Sequence, residues 1–199
     1  MQILPRLFYL KRLFILCSVL VTACASTPQT HFYVLEALAT VPTTQNITNQ
    51  RVLGIGPLSL PSLLNRQQII RRGMNNGVEL AEFHQWAEPL KDTVLQVLTK
   101  NLTSLQPLDT IRSYPWSAYG NVQYRVIIDI SRFDADNKTA VLEASWAIMS
   151  EDNHRIIAND RALLKQVLSD DSYHAIAQAM SQLLADFSKQ LTLSLGELK

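Results

Sequence analysis

An alternation of side chains in residues 122–133 constrains the fold most. Val122, Tyr124, Val126, Ile128 and Ile130 alternate with Gln123, Arg125, Asp129 and Ser131, the period of a strand with one face buried and the other wet. Asp134-Ala135-Asp136-Asn137-Lys138 then reads as a turn. Leu142, Ala144, Trp146 and Ile148 share one face of a second strand, and Glu151-Asp152-Asn153 turns the chain into a third, from Arg155 to about Leu164. Strands joined by such short turns pair antiparallel, so these three form the centre of a sheet whose apolar face needs a second layer.

Two stretches supply that layer. Leu90, Val94, Val97, Leu98, Asn101, Leu102 and Leu105 follow helical spacing, with Pro89 in the first turn and Pro107 as a stop. Ile176, Met180, Leu183, Phe187, Leu191 and Leu195 make a second stripe, preceded by N-cap candidates in Ser169-Asp170-Asp171-Ser172. Each helix buries one face. The expected fold is α+β, a two-layer sandwich with a mainly antiparallel sheet and two long amphipathic helices on one side.

Upstream of the first helix, His31-Phe32-Tyr33-Val34-Leu35 has the composition of a strand and residues 39–50 that of a loop. Residues 51–61 suggest a strand that bends at Pro57 and Pro61. Gly54-Ile55-Gly56 lacks the third glycine and the following helix of a nucleotide-binding loop. Residues 67–73 and 74–80 read as a hairpin about Asn75-Asn76-Gly77. Arg66, Arg71 and Arg72 form a local basic cluster there, either the charged guard of an exposed edge or a contact with a partner or lipid head groups.

The first 23 residues are of another kind. Basic residues (Arg6, Lys11, Arg12) precede an apolar run that is too short to span a bilayer comfortably and ends in small residues before Cys24. That order is a secretory signal. An uncleaved anchor, or cleavage leaving Cys24 as a free thiol, are the plain alternatives. Val21-Thr22-Ala23-Cys24 resembles the lipobox of bacterial lipoproteins, in which the cysteine is acylated and becomes the mature N-terminus. The expected organisation is a signal peptide in residues 1–23, an acylated terminus and tether in 24–30, and one globular domain in 31–199.

Composition then narrows the chemistry. Of 18 basic residues, three lie in the signal, whereas all 17 acidic ones lie beyond it. A near-neutral mature domain lacks the basic field that nucleic acid requires. Cys17 goes with the signal and Cys24 is the only other cysteine, which leaves no intrachain disulfide or multi-cysteine metal site. His31, His84, His154 and His174 show no i, i+4 ligand spacing, no Gly-x-Ser-x-Gly elbow occurs, and Asp134 and Asp136 read as turn-shaping residues. Trp146 reads as core, whereas Trp86 and Trp116 fall in connections and suit an interface. The sequence offers no catalytic residue, metal site or cofactor site.

In this order the chain resembles the ABC-type transport auxiliary lipoproteins, the PqiC-like family. The resemblance is carried by the lipobox at Cys24, Phe32-Tyr33-Val34-Leu35, Gly54-Ile55-Gly56-Pro57 with Leu60-Pro61, and Leu64-Asn65-Arg66-Gln67-Gln68-Ile69. Trp86-Ala87-Glu88-Pro89-Leu90, Tyr124-Arg125-Val126, Arg132-Phe133-Asp134 and Leu142-Glu143-Ala144-Ser145-Trp146 complete it. It implies a non-catalytic lipoprotein anchored by acyl chains on Cys24 in the outer membrane and facing the periplasm. Ala25 fits, since an aspartate there would retain the protein in the inner membrane. The implied partner is an MCE-domain periplasmic protein (PqiB-like) of an intermembrane lipid transport system, whose outer-membrane end the lipoprotein would receive, with copies of the chain arranged as a ring. The stretch from Leu60 to Trp86 is the expected contact, with Arg66, Arg71, Arg72 and Trp86 as its residues. A pilotin or assembly chaperone for another envelope complex is the alternative, and a periplasmic lipid hydrolase a weaker one.

Overall fold

The structure, a computed structural model, describes residues 28–39, 51–116 and 120–197. The signal-like run and Cys24 lie outside these residues, as does nearly all of the loop expected in 39–50. In chain order the elements are β1 (His31–Tyr33), β2 (Val52–Ser59), a 3-10 turn (Ser62–Leu64), β3 (Gln68–Arg72), β4 (Val78–Trp86), α1 (Leu90–Leu105), β5 (Thr110–Ser113), β6 (Tyr124–Ala135), β7 (Thr139–Ser150), β8 (Arg155–Val167) and α2 (Tyr173–Gly196).

The alternating stretch is β6, and it holds the sheet together. One side of it pairs with β7, which pairs with β8, both antiparallel. The other side takes β2 along its first half and β3 at its end, both parallel. From β3 the sheet continues through β4 to β1, and from β2 to β5. It is therefore mixed: the hairpins β3–β4, β6–β7 and β7–β8 are antiparallel, while β1–β4, β2–β5 and β2–β6 run parallel because longer connections separate them.

Both helices cover one face. Val94, Val97, Leu98 and Leu102 of α1, and Ile176, Met180, Leu183, Leu184, Phe187, Leu191 and Leu195 of α2, are buried against Leu53, Ile55, Val126, Ile128, Ile130, Leu142, Trp146 and Ile148. Fully burying each such side chain is worth about 1.5–3 kcal/mol. Asn101, on the apolar stripe of α1, is fully buried because its amide is used twice. It donates to Ser188 Oγ of α2 at 3.1 Å and accepts from the Leu38 N–H at 2.7 Å, so the segment after β1 is tied across both helices. At the start of α2, Ser172 is the cap and its hydroxyl accepts from the Ala175 N–H at 3.1 Å.

Three features depart from the sequence reading. The alternation of β6 does not run through: Ile130 is buried, and the next core residues are Phe133 and Ala135. A bulge between Ile130 and Arg132 inserts the extra residue. Asp134 consequently lies in the strand instead of the turn, where Asp136 alone serves, accepting from the N–H groups of Lys138 and Thr139 at 2.7 and 2.8 Å. Trp86 is not in a connection either; it ends β4 and is 4% exposed in the core. Finally, β5 lies in a stretch for which the sequence offered no element, since four residues are too few to carry a period and pairing with β2 completes the strand.

Gly54-Ile55-Gly56 has a packing role. A Cβ on Gly54 would sit 2.9 Å from Cε3 and Cζ3 of Trp116, and one on Gly56, which has φ +117°, would sit 2.6 Å from Tyr114 Cβ. The two glycines are the floor on which the loop aromatics rest, and Tyr114 meets Trp116 edge to face at 5.3 Å. Gly54→Val is expected to lift the indole from the strand, costing about 1–3 kcal/mol. A red-shifted tryptophan emission and a lower urea midpoint would report it.

Candidate functional site

The chain enters the domain at β1, and β1 is a weak edge strand of three residues paired in parallel with the end of β4, His31 opposite His84 and Tyr33 opposite Trp86. Side chains hold it in place. The His31 ring stacks on His84 at 5.3 Å and 15°, His84 stacks on Tyr173 of α2 at 4.1 Å and 19°, and the Arg71 guanidinium lies 4.6 Å from the Tyr173 ring centre. Tyr33 Oη is hydrogen-bonded to His84 Nδ1 at 2.7 Å, with the donor set by the imidazole tautomer. The column joins the strand where the tether enters to the start of α2. Its residues come from four elements, so no spacing in the sequence announces it.

Within the column, partial burial pushes the His84 pKa below its usual value, with smaller contributions from His31 and Arg71, and burial raises the Tyr33 hydroxyl. A histidine whose folded pKa is depressed binds protons more readily when unfolded. Its contribution to stability is therefore complete above the unfolded value, about 6.5, and is lost as the pH falls from there through the folded value. The melting temperature is expected to drop between about pH 7 and pH 5, and His84→Asn to flatten that slope. An unchanged slope in the variant would assign the acid sensitivity to other groups.

Beyond β1 lies a cleft of about 380 Å³ lined by Phe32, Tyr33, Val34, Glu36 and the α2 residues His174, Ala177, Gln178 and Ser181. It is open and carries no convergent set of reactive groups. Among the described residues, no cluster of three or more His, Cys, Asp or Glu is placed to hold a metal, and no helix is long and apolar enough to cross a membrane.

The arginines expected at a partner contact do not form one patch. Arg71 and Arg72 are neighbours on β3, and successive strand residues face opposite ways. Arg71 turns to the helix side, donating to the Asp171 carbonyl at 2.5 Å. Arg72 turns to the open face, 2.7 Å from Asp134. Asp134, only 2% exposed, also takes Arg132 at 2.9 Å, and thereby ties β3 to β6 with one buried carboxylate between two cations. Arg66 precedes β3, and its Nε donates to the Leu63 carbonyl at 2.8 Å. All three are half-buried and partnered within the chain, and Trp86 is buried in the core at the other end of β4 from Arg71 and Arg72.

The crystal structure of an uncharacterised protein has the same fold at a TM-score of 0.72 and 18% identity, covering 84% of this chain and 99% of that one. Protein XCC0632 from Xanthomonas campestris matches at 0.67 and 16%, covering 82% and 93%. No curated protein matches the chain in sequence. The sequence profile described as "ABC-type transport auxiliary lipoprotein component" matches residues 33–192, from the last residue of β1 to the final turns of α2. The chain therefore belongs to the ABC-type transport auxiliary lipoproteins, a family of lipid-anchored accessory components.

Proposed function

We propose that this chain is a non-catalytic lipoprotein, anchored in the inner leaflet of the outer membrane by acyl chains on Cys24, that receives the outer-membrane end of an MCE-protein assembly carrying lipid between membranes. The observation that carries the reading is the extent of the family match. It takes in the domain from Tyr33 to Thr192 and leaves outside it chiefly the segment that bears the anchor signature. Ala25 after Cys24 supports sorting to the outer membrane. A short tether supports docking, because an anchored domain meets its partner at a raised effective concentration.

The contact is assigned to the stretch from Leu60 to Trp86. Its exposed members Ser62, Asn65 and Gln67 surround the base of the β3–β4 hairpin, where the buried Trp86 donates its backbone N–H to the Gln67 carbonyl at 2.7 Å and Arg66 donates to the Leu63 carbonyl, while Arg71 and Arg72 fix the tip end of β3. Several copies of the chain arranged as a ring would present this surface around a central axis. Deleting the gene tests the reading against a pilotin role. The MCE protein is expected to lose its association with outer-membrane fractions while other outer-membrane multimers assemble normally. Loss of one of those multimers instead would favour the pilotin.

A further inference from the structure

We propose that the tip of the β3–β4 hairpin touches the bilayer in which Cys24 is anchored, with Met74 entering the acyl region. The inference rests on acylation of Cys24. Its first support is direction: β1 lies parallel to β4, so the chain arrives at His31 from the end where β4 begins, which is the hairpin tip. Its second is length. Seven residue steps separate Cys24 from His31, and seven separate Gly77 from His84, the residue opposite His31. At about 3.4 Å per extended residue the anchor lies within roughly 24 Å of His31, which is also about the length of the hairpin arm at 3.3 Å per residue. The tether is thus long enough to put the anchored cysteine beside the tip, and the parallel entry of β1 sends it in that direction.

The chemistry of the tip suits a lipid surface. Residues 73–78, Gly-Met-Asn-Asn-Gly-Val, carry no charge, and the first charges on either side are Arg72 and Glu79. The turn is closed by Gly73 N–H to the Gly77 carbonyl at 3.0 Å and Gly77 N–H to the Met74 carbonyl at 3.1 Å. Asn75 and Asn76 take the left-handed conformation with φ 56° and 61°. Two internal bonds spare the turn backbone part of the cost of leaving water. Met74 stands at the apex with 89% of its surface exposed, the highest value among the large apolar side chains of the described residues, and Val78 and Leu80 are exposed behind it on β4.

Met74→Cys provides the probe, because acylated Cys24 leaves the new cysteine as the one free thiol of the mature chain. The full lipoprotein, labelled there with an environment-sensitive dye, is reconstituted into vesicles of phosphatidylethanolamine with a minority of phosphatidylglycerol. A second sample carries the label at Asn153→Cys, in the β7–β8 turn. The label at 74 is expected to shift to the blue and to lose emission when the lipid carries bromine on its acyl chains, while the label at 153 does neither. If the protein floats with the vesicles but the label at 74 stays water-like, or shifts without quenching by brominated lipid, the hairpin contact is overturned while the anchor stands. Failure of the mature protein to carry acyl chains, read from its mass, overturns the anchor itself.

Discussion

Cys24→Ala is expected to abolish acyl labelling and to move the protein out of the outer-membrane fraction, with no effect on how the domain folds. Acyl chains contribute about 0.8 kcal/mol per buried methylene, and a single chain gives only reversible attachment, so stable anchoring needs more than one chain on the same residue. A contact by Met74, Val78 and Leu80 is far too small to substitute for them. Among the described residues, by contrast, the buried core begins at Leu35, after β1. Metabolic labelling, fractionation and circular dichroism read the three parts separately. Retention of label and of membrane association would remove Cys24 from the account.

Asp134→Ala is expected to be the most damaging single change to a polar residue, at about 3 kcal/mol. The carboxylate is 2% exposed, and Arg72 and Arg132, themselves 40% and 26% exposed, lie against its two oxygens. Deleting it leaves two half-buried cations facing each other across β3 and β6, with only the half-exposed Glu143, 4.0 Å from Arg132, as a remaining counter-charge, and breaking a buried pair from one side costs roughly 3–5 kcal/mol. Their partial exposure places the expected loss at the lower end. The comparison is Lys189 with Asp186 on α2, 2.8 Å apart but 53% and 39% exposed, where Asp186→Ala is expected to cost under about 0.5 kcal/mol. Urea unfolding of the two variants checks both values. A loss below about 1 kcal/mol for Asp134→Ala would mean that water supports the arginines without it.

The contrast between these aspartates shows which parts of the fold were legible in the sequence. Alternation in residues 122–130 and the two helical stripes gave the layers, because each depends on a period that a single element carries. The role of Asp134 was hidden by one inserted residue. The bulge near Ser131 reverses which side chains face the core, and local composition made a turn residue of a strand residue. β5 was hidden by its length, since Thr110 and Ile111 suit a strand but four residues show no period without the pairing to β2. The basic cluster was legible as charge but not as geometry. Once Arg71 and Arg72 occupy adjacent strand positions they serve opposite faces, one stacking on Tyr173 and the other neutralising Asp134. The histidine column was wholly tertiary, and only the structure brings His31, His84 and Tyr173 together.

Function followed a different route from fold. The functional reading rests on the anchor signature at one end and the family match over the domain. The hairpin connects the two. Its tip, by our inference, lies at the membrane, and its base, around Asn65 and Gln67, points away into the space where a partner arrives.

The most direct test is therefore a photo-crosslinking amino acid at exposed Asn65, activated in intact envelopes and followed by identification of the captured protein. The account predicts an adduct with an MCE-domain protein, absent when the same residue is placed in Cys24→Ala. Capture of only the subunits of some other outer-membrane multimer, with Cys24 acylated and the protein in the outer membrane, would contradict it.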